Sequence, residues 1–327
     1  MHSPLFSIVV PAFNVEEYIS SCIEGLLRQT ITDFEVLIVD DGSTDETGHI
    51  CDMYSLQDNR IRVFHQANKG VSKARNRALD NALGKWIVFC DGDDEITPNW
   101  LALFKEQMCS EAELLSQGLN IDESRRCHKS KIPQYKGFSY LGDRYDYIDG
   151  LYCDSIVGYL FIKAFRRDIV ESFNIRFNVA YNYHEDEEFF LRYCKYINKV
   201  SCISDSGYIY YIPDWSKYTI RNRYQLFRDK WLSIQEIYSK SEREKNYQVV
   251  NSYLNDYAYN FMAELAHSSH YGACLDLVRD FRRCLGKSVL SVGISYITRM
   301  TIYWDITGYL STFVSRIHAK MKFYGNA

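Results

Sequence analysis

The first hundred residues alternate continuous apolar runs with segments in which apolar residues recur every three or four positions. The apolar runs lie at 6–10, 34–41, 61–65 and 86–90, and such runs are typical of strands buried on both faces. Residues 15–27 carry an i, i+3, i+4 apolar stripe, and residues 69–83 open from a loop into a helix. Ser43 and Glu46 have the spacing of a capping box, which predicts the start of a further helix.

This β-α-β-α-β-α-β order predicts an α/β fold, in which a parallel sheet is covered by helices and binds ligands at the carboxyl ends of its strands. After residue 100 the pattern loosens into short strand-like pieces at 113–118 and 206–212, around a charged helix start at 184–193. These pieces predict a second lobe on the same sheet. From Arg221 onward the spacing is helical, so we divide the chain into 1–110, 111–220 and a C-terminal helical region at 221–327.

Composition narrows the class of protein. The chain of 327 residues has a net charge of −4, which leaves no excess of positive charge to neutralise a nucleic acid. Its ten cysteines form no Cys-x-x-Cys pair, which predicts a reduced, cytoplasmic compartment. The first fourteen residues lack the basic region of a signal peptide. The apolar stretch 288–314 contains Arg299 and Asp305, which argues against a membrane span.

Polar residues gather where the predicted strands of the first half end. In a parallel sheet they would line one edge, where several carboxylates repel each other unless a cation lies among them. Oxygen ligands of this kind suit Mn2+ or Mg2+. The alternative is that Asp and Gly mark ordinary turns after strands, which is less favoured because the clusters recur at equivalent strand ends. The candidate site residues at these strand ends, together with the apolar Pro11 and Phe13, are Asn14, Glu16, Asp40, Asp41, Asp91, Asp93 and Asp94.

The segment 68–76 supplies the opposite charge. Gly70 is followed by Ser72, Lys73 and Arg75 at a predicted helix start, where N–H groups and cations can meet an anionic ligand. A solvated helix face is the alternative for such a run. Its occurrence beside clustered carboxylates favours a diphosphate bridged by a metal ion.

Several segments together resemble a known family. IVVPAFNVEEYI, VLIVDDGSTDET, NKGVSKARNRAL and WIVFCDGDDEITPNWL occur in the order and spacing of the nucleotide-sugar half of family 2 glycosyltransferases with the GT-A fold. FIKAFRR at 161–167 and HEDEEFF at 184–190 are similar to two further stretches of that family. The resemblance covers residues 5–215, so it implies a nucleotide-sugar-binding half at 1–110 and an acceptor-binding half at 111–220.

The resemblance also implies roles for individual residues. It places Pro11, Phe13 and Glu16 at the nucleoside, Asp40 on the uracil with Asp41 beside it, Gly70 and Arg75 along the diphosphate, Asp91 on the ribose side, and Asp93 on the metal. Two positions depart from the family pattern: Phe161 stands where Trp is common, and Ile212 replaces an Arg. The Ser of the same family pattern is retained as Ser216, on the donor side. Because Ile212 replaces the Arg, the cation that the family places near the diphosphate would come from Lys217 or Arg221, or be absent.

Glycosyl transfer needs a base that deprotonates the attacking hydroxyl of the acceptor. In proteins that this chain resembles, the base is the Asp of a Glu-Asp pair, which implies Asp186, with Glu185 orienting it or holding the acceptor. The alternative is that HEDEE only places acids in the first turn of a helix, where the helix dipole favours them. Given the segments that precede it, catalysis is the favoured interpretation.

Residues 287–327 contain five basic residues and one acidic residue, a net charge of +4, among several aromatic residues. A basic aromatic helix can lie on an anionic leaflet, which would give peripheral contact with the inner face of the cell membrane. Packing on the catalytic lobe, or in a homodimer, is the alternative, and both stay open.

Together with the residue patterns, the resemblance implies an inverting, metal-dependent glycosyltransferase that moves a hexose or N-acetylhexosamine from a UDP-sugar to a glycan. The family implies a lipid-linked oligosaccharide acceptor in the biosynthesis of a capsule, O-antigen or exopolysaccharide. A catalytically silent scaffold of the same fold that binds nucleotide sugars is the first alternative. A receiver-like signalling domain also gathers Asp at strand ends, but it would leave FIKAFRR and HEDEE unexplained.

Overall fold

The computed structural model describes residues 3–109, 111–122, 140–153, 156–181, 184–211, 230, 233–234 and 236–237. All of them belong to one compact unit. The strands are β1 (Phe6–Ala12), β2 (Phe34–Asp40), β3 (Ile61–His65), β4 (Trp86–Phe89), β5 (Glu95–Ile96), β6 (Leu114–Ser116), β7 (Asn120–Asp122), β8 (Tyr140–Asp143), β9 (Lys163–Arg166), β10 (Lys199–Cys202) and β11 (Tyr208–Tyr211). The helices are α1 (Ile19–Leu27), α2 (Thr47–Gln57), α3 (Val71–Leu79), α4 (Trp100–Glu106), α5 (Arg144–Cys153), α6 (Arg167–Ser172) and α7 (Glu185–Cys194).

One sheet of eight strands, in the order β3-β2-β1-β4-β9-β6-β10-β8, organises the described chain. Its first four strands are parallel, with Phe6 opposite both Phe34 and Trp86. Strand β9 runs antiparallel between β4 and β6, and β8 is antiparallel to β10. The predicted parallel sheet and its continuation into the second half of the chain are both confirmed.

The strand predicted at 206–212 does not join the main sheet. As β11 it pairs with β5 and β7 in a separate sheet of three strands. Gly207, which precedes it, passes so close to helix α4 that a Cβ atom would lie 2.5 Å from Cα of Trp100. This close approach brings β11 against the end of β4 rather than onto the edge of the main sheet.

The capping box predicted at Ser43 and Glu46 is wrong. Helix α2 begins at Thr47, and no side-chain cap comes from the residue before it. The backbone N–H of Glu46 instead donates to the Glu16 carboxylate at 2.8 Å, and Ser43 Oγ accepts the N–H of Asn14 at 3.1 Å. The helix start is thus satisfied by the distant Glu16 and by Asp45, whose carboxylate accepts the N–H of Thr47 at 3.1 Å, and not by the predicted pair.

Phenylalanine side chains join the two halves of the sheet beneath the site. Phe89 on β4 meets Phe165, Phe177 and Phe189 edge to face, with ring centroids 5.6–5.8 Å apart. Edge-to-face aromatic packing of this kind adds stability beyond the burial of its area. Phe189 lies on α7, so this cluster fixes that helix over β4 and β9.

Two findings concern the cysteines and the membrane. The described cysteine side chains, at 22, 51, 90, 194 and 202, are buried free thiols. Among the described helices, none has the length and apolar content to cross a membrane. Ser216 and the basic tail at 287–327 lie outside the described residues, and the divisions at 110 and 220 stay predictions.

Candidate active site

Asp40 ends β2 with its carboxylate held on two sides. It accepts the backbone N–H of Ser43 at 2.9 Å, and its other oxygen lies 2.9 Å from Nδ1 of His65. Burial alone would raise the pKa of Asp40, but the hydrogen bonds from Ser43 and His65 lower it below its usual value. Asp40 is therefore kept ionised, and His65 links it to Asp52 at 3.0 Å.

Asp41 organises the loop that leads into α3. Its carboxylate accepts the backbone N–H groups of Lys69 and Gly70, at 2.9 and 2.7 Å, and the Gln66 side-chain amide at 2.7 Å. Gly70 has φ +88 and precedes the first residue of α3, a conformation that glycine adopts without strain. The loop predicted along the diphosphate is thus fixed by the end of β2.

The loop after β1 borders the same edge. Pro11 is partly exposed near the end of the strand, and Phe13 directly beyond it is 46% exposed. Glu16 is exposed as well, but its carboxylate caps α2. The structure thus brings Pro11 and Phe13 to the predicted edge and gives Glu16 a contact within the protein.

The three aspartates after β4 have different surroundings. Asp94 is buried and accepts the hydroxyl of Tyr208 at 2.8 Å and the N–H of Tyr211 at 3.0 Å. Burial, together with the charges of Asp91 and Asp93, raises the pKa of Asp94 well above its usual range. Asp91 is half-buried and Asp93 is exposed. Gly92 between them lies close to the Pro11 carbonyl, 3.3 Å from where a Cβ would stand.

Asp91 and Asp93 fit a divalent cation through their chemistry. Both are hard oxygen donors at the carboxyl end of β4, and Mg2+ or Mn2+ takes such ligands together with phosphate oxygens. Within the ranges described above, no three His, Cys, Asp or Glu side chains are arranged to hold a metal ion.

Arg75 joins the end of β4 to the first turn of α7. Its Nη2 donates to Asp91 at 2.9 Å and its Nη1 donates to Glu185 at 2.9 Å, and the residue is 8% exposed. The guanidinium carbon also lies 5.4 Å from the centre of the Phe177 ring. Burial would lower the pKa of Arg75, but the charges of Asp91, Glu185 and Asp186 outweigh it and raise the pKa above its usual value. One permanent cation therefore connects strand β4 to helix α7.

The first turn of α7 presents four consecutive acids, and each meets a different partner. Glu185 binds Arg75, Glu187 binds the Lys230 ammonium, and Glu188 binds Arg192. Asp186 lies against Gly158, at which a Cβ atom would stand 2.8 Å from its Oδ2 and 2.9 Å from its Oδ1. The helix dipole alone would not distribute the four carboxylates in this way.

The protonation equilibrium of Asp186 suits proton transfer near neutral pH. Burial and the adjacent charge of Glu185 raise the pKa of Asp186 to about 7, against the opposing charge of Arg75. A general base is most effective when its pKa lies near the working pH. Asp186 is half-buried. It follows Glu185, which pairs with Arg75, and Arg75 in turn pairs with Asp91 after β4.

Glu187 has the opposite property. Burial would raise its pKa, but Lys230 and His184 lower the pKa of Glu187 to about 2. His184, at φ +57, precedes α7, and its Nδ1 lies 3.2 Å from Glu187 Oε2. Glu187 is therefore a permanent anion that fixes the start of the helix.

Sequence reasoning missed Gly158, Lys163, His184 and Lys230 as parts of this site. Lys163 lies inside FIKAFRR and His184 begins HEDEE, so both carried a signal as members of the segments that resemble the family. Gly158 and Lys230 have no local motif, because their contacts with Asp186 and Glu187 form only in the folded chain.

The chain is similar to known proteins in sequence. The model of the family described as Glycosyl transferase family 2 matches residues 7–173. The chain is 33% identical over 211 residues to a protein from Bacillus subtilis named uncharacterized glycosyltransferase EpsJ, which covers 63% of this chain. It spans 61% of the length of EpsJ.

Two solved structures are similar in fold. S. aureus TarS 1-349 in complex with UDP-GlcNAc matches with a TM-score of 0.62 at 23% identity, over 90% of this chain and 83% of that one. A mannosyltransferase from Pyrobaculum calidifontis, solved with GDP-Man and Mn2+, matches with a TM-score of 0.51 at 16% identity, over 93% and 88%. Identities this low show the fold alone.

Proposed function

We propose that this chain, which belongs to glycosyl transferase family 2 and has the GT-A fold, is an inverting glycosyltransferase. In our proposal it transfers a hexose or N-acetylhexosamine from a UDP-sugar to a hydroxyl of a glycan acceptor. The carrying observation is the bridge from Asp91 through Arg75 to Glu185. This bridge supports the proposal that Asp186 acts beside the edge at which the nucleotide sugar would bind.

Direct displacement at the anomeric carbon accounts for the residues of this site. The acceptor oxygen attacks that carbon from the side of α7 while Asp186 takes its proton, and the bond to the diphosphate oxygen breaks. The sugar carbon inverts because attack and departure occur on opposite faces. UDP leaves with the electron pair of the broken bond. Glu185 supports the base, because its charge keeps the pKa of Asp186 near neutrality.

Asp93 would hold a Mn2+ or Mg2+ ion against the diphosphate, and Asp91 would lie on the ribose side. Such an ion, when bound, supplies Lewis acidity that stabilises the negative charge of the leaving group. The mannosyltransferase with Mn2+ supports a metal-dependent reaction, and the TarS complex with UDP-GlcNAc supports a UDP-sugar. Pro11, Phe13, Asp40, Asp41 and Gly70 would surround the nucleotide.

For the acceptor we propose a lipid-linked oligosaccharide in the biosynthesis of a bacterial surface polysaccharide. The match to a glycosyltransferase of Bacillus subtilis supports a bacterial glycan as the product class. Screening UDP-sugars for metal-dependent hydrolysis would identify the donor sugar, which no contact described above selects.

Replacing Asp186 tests the reaction. Asp186→Asn should reduce transfer at least a hundredfold, a typical loss for a general base, because the amide cannot accept the proton of the acceptor. UDP affinity, measured by calorimetry with Mn2+, should stay within about twofold, since the base acts on the acceptor. Substantial remaining transfer would remove Asp186 from this role. Normal UDP binding by a wild-type chain that turns over no donor would favour the silent scaffold.

Asp93→Ala is the complementary variant. It should weaken the binding of UDP in the presence of Mn2+ at least about tenfold, while UDP binding without metal changes little. Binding equal to that of the wild type with Mn2+ would show that the ion is held elsewhere. The two variants thus separate the donor side of the reaction from the acceptor side.

A further inference from the structure

Lys163, the third residue of FIKAFRR, is a buried cation that the reaction described above does not use. Its side chain is fully buried on β9. Its ammonium donates to the carbonyl oxygens of Val157 and Tyr159, at 3.2 and 2.6 Å, and lies 4.8 Å from the centre of the Phe190 ring. Removing a lysine from water is costly, so its polar contacts must compensate for that cost.

The two carbonyls that Lys163 holds belong to the residues on either side of Gly158. Gly158 packs directly against the Asp186 carboxylate, since a Cβ atom there would lie 2.8–3.0 Å from Oδ2, Oδ1 and Cγ. The turn at 157–159 is therefore the surface on which that carboxylate rests. Because it allows no side chain at Gly158, a small movement of the turn would move Asp186 or leave a gap beneath it.

We propose that Lys163 is a positioning residue for Asp186, which it places by holding the turn around Gly158 with its ammonium. This inference rests on the proposed function, because Asp186 acts as a base only there. Lys163 touches neither donor nor acceptor in this proposal. Its effect on the reaction passes through the carbonyls of Val157 and Tyr159 to the carboxylate.

Lys163 also acts on Asp186 by charge. Burial lowers the pKa of Lys163 to about 7, and the negative charge of Asp186 opposes that shift. The attraction is mutual, so the lysine charge favours the ionised carboxylate. The other groups that act on Asp186 are Arg75 from α3, Lys230, Tyr210 from β11, and Glu185 and Glu187 on its own helix. The charge of Lys163 is thus one of several. Lys163 also donates hydrogen bonds to the backbone carbonyls on both sides of Gly158.

Lys163→Met tests both effects. It removes the donors that hold the turn, so kcat for transfer should fall about a hundredfold, as expected when a catalytic group moves by about 1 Å. The KM for the UDP-sugar should stay within about twofold. In a plot of kcat against pH, the fall on the acidic side (the acidic limb) should move to higher pH by roughly one unit. The reason is that a positive charge favouring the ionised form of Asp186 is lost.

Gly158→Ala tests the turn without changing any charge. The added methyl group takes the space of the carboxylate, and kcat should fall at least about tenfold. Gly158 is partly exposed, so this variant keeps the proposal testable if Lys163→Met does not fold. A wild-type kcat for Gly158→Ala would overturn the proposal.

Arg144→Met is the matched control for lost stability. Arg144 is also a buried cation that holds backbone carbonyls, those of Cys194 and Lys195, but it lies at the opposite end of α7. Its loss should lower the melting temperature without shifting the acidic limb. If Lys163→Met and Arg144→Met reduce kcat equally with the limb unmoved, Lys163 is merely structural and the proposal is wrong. Full transfer by Asp186→Asn would remove Asp186 as the base and with it the premise of this proposal. Absence of sugar transfer by the wild type would instead reject the proposed function itself.

Discussion

At the scale of single residues, neighbours in sequence have opposite chemistry. Asp186 has a pKa raised to about 7, and Glu187 has a pKa lowered to about 2. The sequence could place both in the first turn of a helix but could not distinguish them, because their partners lie far away in the chain. Arg75 reaches Glu185 across 110 positions, and Lys230 reaches Glu187 across 43. The assignment of Asp186 as the base comes from the family pattern and stays a prediction.

The charge of Glu185 should influence the pH dependence of transfer, because it helps to raise the pKa of Asp186. In the wild type, kcat should fall as the pH drops through about 7, because Asp186 is then protonated. Glu185→Gln removes a negative charge that raises the pKa of Asp186. The charge of Arg75, which lowers that pKa, remains. The acidic limb should therefore move to lower pH, by roughly one unit. A pH series of initial rates at saturating donor and acceptor measures it.

The direction of this shift is diagnostic, because Lys163→Met is expected to move the same limb the other way. Glu111→Gln, which removes an acid paired with the exposed Lys199, is a control for a general change in charge. An unmoved limb in Glu185→Gln would mean that Asp186 does not determine the pH dependence.

At the scale of elements, the apolar runs predicted β1 to β4 to within about two residues at either end. Strands β1, β2 and β4 are buried on both faces, which accounts for their continuous apolar runs. Strand β3, at the edge of the sheet, is only partly buried. Two predictions from local sequence motifs were wrong because residues distant in sequence make the contacts concerned. Glu16 caps α2 in place of the predicted Ser43. The strand at 208–211 entered the second sheet, where its partners are two very short strands.

Helix α7 depends on Lys230 for the placement of its first turn. Lys230→Met leaves the buried Glu187 without its main cation, so the free energy of unfolding should fall by about 3–5 kcal/mol. The double variant Glu187→Gln with Lys230→Met removes both charges and should recover much of that loss. Urea denaturation of the single and double variants measures the difference.

Acid should weaken the same contact. The pKa of Glu187 is about 2 in the folded chain against an ordinary 4.5, so its contribution is complete above pH 4.5 and disappears as the pH falls towards 2. Glu187→Gln should show a smaller loss of stability over that interval. Equal acid sensitivity in the wild type and in Glu187→Gln would contradict the ion pair.

At the scale of the whole molecule, the described residues form one unit around the sheet of eight strands. The proposed donor site and the proposed base lie on elements that Arg75 connects. The alternation of apolar runs was sufficient to predict this architecture. It could not predict which distant residues would meet, since that depends on side-chain packing across the sheet. The role of the C-terminal region at 221–327 stays a prediction from charge and spacing.

The tail prediction can be tested on the full chain. Replacing Lys287, Arg316, Lys320 and Lys322 by Gln removes four of its positive charges. If the tail contacts an anionic membrane, these changes should reduce co-sedimentation with phosphatidylglycerol vesicles by well over tenfold, at about 1 kcal/mol per cation. Transfer to a soluble acceptor should be preserved. Unchanged sedimentation would favour packing on the catalytic lobe or in a dimer.

The ion pairs of Arg75 restrict where this chain can be joined to a relative in a chimeric protein. Its two partners stand at positions 91 and 185, so a chimera joined between them inherits Arg75 and Asp91 from one parent and Glu185 from the other. If the second parent has no acid at position 185, the buried Arg75 of the chimera keeps only Asp91 as a partner. A buried charge that loses a partner in this way destabilises the fold. Crossovers before residue 75 or after residue 185 inherit the three residues as one unit.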